Sequence, residues 1–202
     1  MHRILLTLVA GAAVLLGGCG NDRTPVPELG LIPPPKGFRE TPYAAQGVAF
    51  KAPTNWRVVQ AEGDDKQLAT VAIGDAQVGI WRYVRDEPLP ETRDQLAAAR
   101  QALVAQIESR DPTFKLTSTR LVQKPGFRGV EVVGVGTNLS NAKIQRAMRS
   151  LHAYGHGVEV VMDAFAPPRE FARVDKQTFG PMARSLRLSA PKSVKAPVPP
   201  GG

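Results

Sequence analysis

Residues 127–165 read, in five successive blocks, FRGVEVVGVGT, NLSNA, KIQRAMRSLHAY, GHG and VEVVMDAF. The first, third and fifth blocks (127–137, 143–154 and 158–165) are strand-like runs, and the short blocks between them are rich in asparagine and glycine, which favour turns. Three strands joined by short turns predict an antiparallel meander.

The residues before this stretch predict further strands and one long helix. Strand-like runs occupy 47–51, 56–60, 68–73, 78–84 and 114–122. Between the last two of these runs, Thr92 and Gln95 have the spacing of a capping box, and Leu96, Leu103 and Ile107 fall on one helical face. We therefore expect an amphipathic helix that ends near Arg110.

The residues after the meander predict a second helix. Pro167 and Pro168 suit its first turn, and an apolar face continues to Leu186. Gly180 and Pro181 interrupt this pattern and should break or kink the helix near Phe179. Together the elements predict an α+β fold, in which an antiparallel sheet of about six to seven strands is flanked by two main helices.

Composition limits the choice of protein class. The chain has 202 residues, 26 basic and 18 acidic side chains, and one cysteine. A disulfide framework needs a second cysteine, and the charged fraction of 22% is ordinary for a folded protein. These values predict one modest folded domain with additional segments.

Residues 1–18 have the character of a signal peptide. Arg3 precedes a weakly polar to apolar run at 4–16, and 13 helical residues span only about 20 Å of a hydrocarbon core about 30 Å thick. A permanent transmembrane helix is therefore disfavoured. Because the segment holds Arg3 and no acidic residue, its removal lowers the net charge from +8 to +7.

The segment that follows, Leu16-Gly17-Gly18-Cys19, resembles the lipobox of bacterial lipoproteins. The resemblance implies cleavage after Gly18 and attachment of fatty acyl chains, palmitate among them, to Cys19. Two or more chains anchor a protein stably where one does not. The alternative is an ordinary secretory peptide with a chance cysteine.

Proline distribution predicts how the mature chain is organised. Residues 19–46 combine the lipidated cysteine with a proline-rich tether, residues 47–190 form the α+β domain, and residues 191–202 form a proline-rich tail without a fold.

Two motifs of the domain are similar to the PsbP/Mog1-like superfamily. The run VAFKAPTNW at 48–56 looks like its opening strand and turn, and FGPMARSLRL at 179–188 resembles its last helix, with Ser185 and Leu186 at the matching positions. The resemblance implies a non-enzymatic assembly factor, accessory subunit or envelope binding module. It carries over no catalytic residue.

Few residues suggest catalysis or metal binding. His152 and His156 flank one turn and have no third soft ligand at a plausible spacing, so solvated or strand-end histidines are favoured over a metal site. We expect neither catalytic residues nor a cofactor, and an envelope hydrolase is the least favoured function. Trp56 and Trp81 are predicted core anchors, with sugar stacking on Trp81 as the alternative.

Gly134 and Gly136 share one face of a strand with Val130 and Val132. Two glycines on one face allow either close helix packing or a ligand groove over the sheet. The groove alternative makes the protein a carrier of a lipid or other apolar ligand.

The basic side chains suggest a surface for anionic partners. Alternation puts Arg146 on the opposite strand face from Lys143 and Arg149, so the three cannot form one flat patch. Export argues against nucleic acid, which leaves anionic lipid headgroups, acidic envelope polymers or an envelope protein as partners, against the alternative of a merely solvated surface. The candidate contacts are Lys143, Arg146, Arg149, Arg173 and Lys176.

These observations predict a lipid-anchored module on the extracytoplasmic side of the cell membrane. We expect it to bind or assist another envelope component without catalysis. The sequence does not predict its oligomeric state.

Overall fold

The computed structural model of the chain describes residues 31–60, 66–139 and 143–191. The predicted signal peptide, Gly18, Cys19 and the tail from residue 192 lie outside these residues. Within them, no helix combines the length and apolar character that a membrane span requires.

A seven-stranded antiparallel sheet, in the spatial order β3-β4-β5-β9-β8-β7-β6, forms the centre of the molecule. Its members in chain order are β3 (Arg57–Gln60), β4 (Gln67–Ile73), β5 (Ala76–Val84), β6 (Lys115–Lys124), β7 (Phe127–Gly136), β8 (Arg146–Gly155) and β9 (Val158–Ala166).

The predicted meander is confirmed as β7-β8-β9. His156 and Gly157 form the two-residue turn between β8 and β9, with φ values of 53° and 75°. Positive φ at both positions is the conformation of a type I′ hairpin turn, which matches the twist of the flanking strands. The turn fixes a register in which Ser150 lies opposite Asp163.

The first predicted helix is confirmed as α1 (Arg93–Arg110), which packs on β6 and β7. The Thr92 hydroxyl accepts a hydrogen bond from the Gln95 N–H, and the Gln95 side chain accepts one from the Thr92 N–H, which completes the capping box. The buried face of α1 joins a cluster made of Leu96, Leu103, Phe114, Val130, Val132, Met148 and Phe165.

The second predicted helix covers the other face of the sheet in three consecutive pieces. These are α2 (Pro168–Val174), a π-helical turn (Asp175–Phe179) and α3 (Gly180–Ser185). The expected break near Phe179 is instead this π turn, in which the Gly180 N–H bonds to the Asp175 carbonyl five residues earlier. Because Pro181 has no N–H to donate, the wider turn lets the chain continue without a break.

A second, three-stranded sheet lies beside this helical layer. Its strands are β1 (Phe38–Tyr43), β2 (Val48–Pro53) and β10 (Arg187–Leu188), with β2 in the centre. β1 falls inside the predicted tether, and Ile32 is buried as well, so the folded unit begins before residue 47. Pro42 makes this strand hard to recognise, but β1 pairs on one side only, where proline is tolerated.

The larger core lies between the sheet and the α2–α3 layer. Phe50, Phe179 and Met182 are fully buried, and the rings of Trp56 and Phe179 meet edge to face at 6.1 Å. The Ser185 hydroxyl accepts from the Lys51 N–H at 2.8 Å and donates to the Met182 carbonyl at 2.7 Å. This serine therefore ties the end of α3 to β2.

Candidate functional site

A groove of about 810 Å³ lies between α1 and the part of the sheet formed by β5, β8 and β9. It exists because α1 covers β6 and β7 and leaves the neighbouring strands open on that face. Its apolar wall includes Leu103 and Ile107 of α1 together with Met148, Val161 and Phe165 of the sheet.

The floor of the groove is polar. Ser150 and His152 of β8, and Glu159 and Asp163 of β9, all point to this face because each pair is separated by an even number of residues. The Ser150 hydroxyl donates to Asp163 Oδ1 at 2.5 Å, and His152 Nδ1 lies 2.6 Å from Glu159 Oε1. Each of these four side chains therefore has a partner within the floor.

Arg85, which follows β5, extends this arrangement toward the groove mouth. Its Nε donates to Glu159 Oε2 at 2.7 Å, and its guanidinium lies 5.4 Å from the centre of the Tyr83 ring. Burial opposes ionisation of Glu159, but hydrogen bonds from His152 and Arg85 outweigh it and hold the pKa of this carboxyl below its usual value. Glu159 is therefore an ionised group shared by two basic partners.

Asp163 has the opposite character. Burial raises the pKa of this carboxyl above its usual value, although the hydrogen bond from Ser150 acts against the shift. The floor thus holds one carboxylate that is stabilised in its charged form and one whose charged form is disfavoured.

The arrangement suits binding better than nucleophilic catalysis. A Ser–His mechanism needs the hydroxyl to donate to the imidazole, whereas the Ser150 hydroxyl donates to Asp163. Within the described residues, no group of three His, Cys, Asp or Glu side chains is arranged to hold a metal ion. The floor presents fixed hydrogen-bonding groups at the base of an open groove.

The two glycines singled out in the sequence lie on the α1 side but outside this groove. A Cβ at Gly134 would lie 2.2 Å from the Phe114 ring, and one at Gly136 would lie 2.1 Å from Asp111 Oδ2. The space over both glycines is therefore filled by the protein's own side chains. Close packing, rather than a ligand groove, accounts for these positions, and the open space lies over the neighbouring strands.

The five candidate basic contacts do not form one surface. Arg149 is largely buried between Glu131 and Asp175, Arg146 donates to the Asp75 carbonyl, and Arg173 donates to the Ile32 carbonyl. Burial opposes ionisation of Arg149, but the hydrogen bonds to Asp175 and Glu131 outweigh it and hold the pKa of this guanidinium above its usual value. Lys143 and Lys176 are exposed, on the β7–β8 loop and the π turn.

The two tryptophans differ in environment. Trp56 is a core anchor, as predicted, whereas Trp81 is only half-buried and its ring lies over Gly79 on the open part of the sheet. His156 lies in the β8–β9 turn, away from the floor position of His152.

The sequence reasoning missed the polar floor, although a signal for it exists. In a hairpin with a two-residue His-Gly turn at 156–157, strand pairing proceeds outward from Gly155 and Val158. Counting outward from this pair places Ser150 opposite Asp163. Extending that register from the turn would have brought the four floor residues to one face.

Comparison with known proteins identifies the fold. No family model and no curated protein sequence matches the chain. Among solved structures, the PsbP of the cyanobacterium Synechocystis sp. PCC 6803 has a TM-score of 0.57 at 13% identity, covering 86% of this chain and 99% of that chain.

Two further solved structures are similar. LpqN of Mycobacterium tuberculosis, described as involved in cell envelope biogenesis, has a TM-score of 0.52 at 13% identity, covering 75% of this chain and 91% of that chain. The Ran-binding protein Mog1p of Saccharomyces cerevisiae has a TM-score of 0.51 at 10% identity, covering 76% of this chain and 96% of that chain. At such low identities the likeness concerns the fold alone, and the chain has the PsbP/Mog1-like fold.

Proposed function

We propose that this protein is a lipid-anchored module outside the cytoplasm that binds a ligand or a segment of a partner in the groove beside α1, without catalysing a reaction. The groove carries the binding part of the proposal. It is open to solvent, and its floor consists of polar side chains already held in place by one another. Such preorganisation lowers the entropic cost of binding.

The anchoring part rests on the sequence at 16–19, where small residues precede the sole cysteine. LpqN, which shares the fold, is described as involved in cell envelope biogenesis, and this is consistent with a location at the cell envelope. Cleavage after Gly18 and acylation of Cys19 would attach the domain through residues 20–30.

The absence of catalysis is proposed because the polar side chains of the groove floor are hydrogen-bonded to acidic partners. His152 and Ser150 each have an acidic partner, and neither forms a nucleophile and base pair with the other in the described structure. Their effect is to present a constant pattern of donors and acceptors to whatever occupies the groove.

A carrier of an apolar ligand is the second candidate function, and the groove wall favours it. Leu103, Ile107, Met148, Val161 and Phe165 line one continuous opening. Because the floor groups hydrogen-bond to one another, hydrocarbon above them would leave Ser150 and Asp163 paired.

Native mass spectrometry of the mature protein, extracted gently from membranes, tests the binding site. We expect an added mass that is lost in Gln106→Trp, because Gln106 lines the groove mouth and the indole would fill it. Gln101→Trp, at an exposed position of α1 outside the groove lining, is the matched control and should keep the added mass.

The result also separates the two candidates. An added mass that organic solvent extracts as a lipid favours the carrier, and a peptide or other polar mass favours the binding module. A wild-type protein that is unloaded, and that stays unloaded after incubation with solubilised membranes, contradicts the groove as a binding site.

Metabolic labelling with an alkynyl palmitate tests the anchor. We expect the wild-type protein to be labelled and to sediment with membranes washed at high salt, and Cys19→Ser to lose both properties. Unchanged labelling and sedimentation of Cys19→Ser would contradict lipid anchoring.

A further inference from the structure

We propose that the layer formed by α2 and the π turn faces the membrane and contacts anionic phospholipid headgroups, so that the groove opens on the far side of the domain, away from the bilayer. This inference rests on the proposed anchor at Cys19. Three observations carry it: where the chain enters the domain, how far the anchor can reach, and which charges surround the entry point.

The chain enters the described fold beside α2. Arg173 Nη2 donates to the Ile32 carbonyl at 2.6 Å, and the Ile32 side chain is buried in the larger core. A few residues later, the Lys36 N–H donates to Asn55 Oδ1 at 3.0 Å. The segment from residue 32 to residue 36 is therefore fixed to the α2–α3 side of the sheet, which is the side opposite α1.

The reach of the anchor favours one face of the domain toward the membrane. Twelve residue steps separate Cys19 from Leu31, and even a fully extended chain covers at most about 40 Å over that number of steps. A domain of about 150 residues has a radius of gyration of about 15 Å, hence a diameter of about 40 Å. The face that carries residue 31 meets the membrane easily, whereas the α1 face would need the whole extended length.

The charges around the entry point suit an anionic surface. Two acidic side chains in this layer, Glu170 and Asp175, are engaged in ion pairs with Arg173 and Arg149. Leu31, at the entry, is 78% exposed and adds an apolar side chain for the headgroup region. We call the cationic residues of this layer and of the entering segment the α2 basic surface; it comprises Lys36, Arg169, Lys176 and Arg173, the last of which is also paired with Glu170.

The spacing of these residues supports a single surface. Arg169, Arg173 and Lys176 are separated by four and three residues along one continuous helical segment, so they lie on one side of it. Arg173 is also the residue that holds Ile32, which places the tether and the cations together.

This orientation has a consequence for the groove. The groove lies on the α1 face, and the α2 basic surface lies on the other face of the same sheet. A ligand would therefore enter from the space outside the membrane or from a protein located there, rather than directly from the bilayer surface under the domain.

Vesicle sedimentation tests the contact independently of acylation. The probe is the chain from residue 19 with Cys19→Ser, mixed at low ionic strength with vesicles of phosphatidylcholine alone or with 30% phosphatidylglycerol. Each cation near an anionic surface contributes about fivefold to partitioning. We expect Lys36→Glu with Lys176→Glu to lower binding to the anionic vesicles at least about 25-fold.

The matched control is Lys115→Glu with Lys143→Glu, two exposed lysines outside the α2 layer. We expect it to change binding far less. An equal loss in both double variants, or no dependence on phosphatidylglycerol, would overturn the proposed contact. Because the probe is not acylated, a failed contact here and a failed anchor in the palmitate experiment are separate results.

Fluorescence quenching tests the orientation in the acylated protein. Cys19 carries lipid, so a cysteine introduced by Lys176→Cys or Gln106→Cys can be labelled alone with a fluorophore. With a nitroxide on the lipid headgroups, we expect strong quenching at position 176 and little at position 106. Equal quenching, or stronger quenching at 106, would overturn the orientation.

Discussion

The two faces of the central sheet are built differently. The face under α2 and α3 is closed, with large apolar side chains such as Phe50, Phe179 and Met182 fully buried. The face under α1 is only partly covered, and beside its small apolar cluster it carries the polar floor of the groove.

Buried charges follow the same division. Under α2, Glu131 is held between Arg120 and Arg149, and Arg149 also binds Asp175 in the π turn. This network fastens the terminal helix to the sheet. Under α1, the ion pair of Arg85 and Glu159 borders open space. The difference teaches that one face supplies stability, while the other leaves room for a ligand.

The largest expected effect is the loss of Phe179. This ring is 1% exposed and contacts Trp56 and Phe171, so Phe179→Ala should lower the free energy of unfolding by about 4 kcal/mol. Phe165→Ala is the matched change on the α1 face, where the ring borders the groove, and should cost clearly less. Urea unfolding of both variants measures the difference, and equal costs would contradict the division between the faces.

The next effect concerns carboxyl groups with opposite pKa shifts. Burial opposes ionisation of Glu131, but Arg120 and Arg149 outweigh it and hold its pKa below the ordinary value of 4.5. Its contribution is therefore present above about pH 4.5 and is lost as pH falls through the lowered pKa. Glu131→Gln should cost about 3 kcal/mol at neutral pH, and this cost should shrink in acid.

Asp163 should behave in the opposite way. Its pKa is raised above the ordinary value of 3.8, so the folded state favours the protonated form and loses stability as pH rises through the raised pKa. Asp163→Asn removes that loss. The free energy of unfolding of this variant, compared with that of the wild-type protein at the same pH, should therefore be higher at neutral pH than at low pH. Unfolding free energies measured from about pH 2 to pH 8 check both signs, and parallel profiles for the two variants would contradict them.

A smaller effect distinguishes the covered and open parts of the α1 face. A Cβ at Gly134 would lie 2.2 Å from the Phe114 ring and 2.7 Å from the Lys115 carbonyl oxygen, so Gly134→Ala should cost about 2 kcal/mol. At Gly79 the nearest atoms belong to the Trp81 ring, which can lift off the open sheet. We expect Gly79→Ala to lower the melting temperature less than Gly134→Ala does, and the reverse order would show that Trp81 is held rigidly.

The smallest effect is at the start of α1. Thr92→Ala removes the hydroxyl that accepts from the Gln95 N–H and should cost about 1 kcal/mol. Thr92→Ser keeps an acceptor in the same place and should restore most of the stability in thermal unfolding. Loss of stability in the serine variant as well would mean that the methyl group, rather than the cap, matters.

Local sequence patterns were sufficient for the elements whose signals are local. The capping residues Thr92 and Gln95 and the turn at 156–157 lie next to the structures they determine, so the start of α1 and the meander were predictable. The two sequence motifs at 48–56 and 179–188 meet in this structure, where the Ser185 hydroxyl accepts a hydrogen bond from the Lys51 N–H.

Features that depend on distant partners were not predictable in the same way. β1 contains Pro42, and only its pairing with β2 makes it a strand. The closure of the space over Gly136 depends on Asp111, which is held by Thr113 and by the Asn138 N–H. The floor of the groove needs β8 and β9 in register, and its opening depends on where α1 lies across the sheet.

The pairing of β5 with β9 has a consequence for how the chain folds. These strands are adjacent in the sheet although about seventy residues separate them, from Val84 to Val158. As the chain is made from its N-terminus, β5 keeps one unpaired edge until the meander has formed. The core around β2 closes later still, because α3, which packs on β2, follows the meander in the chain. Truncation near the C-terminus should therefore leave an aggregation-prone chain rather than a smaller folded protein.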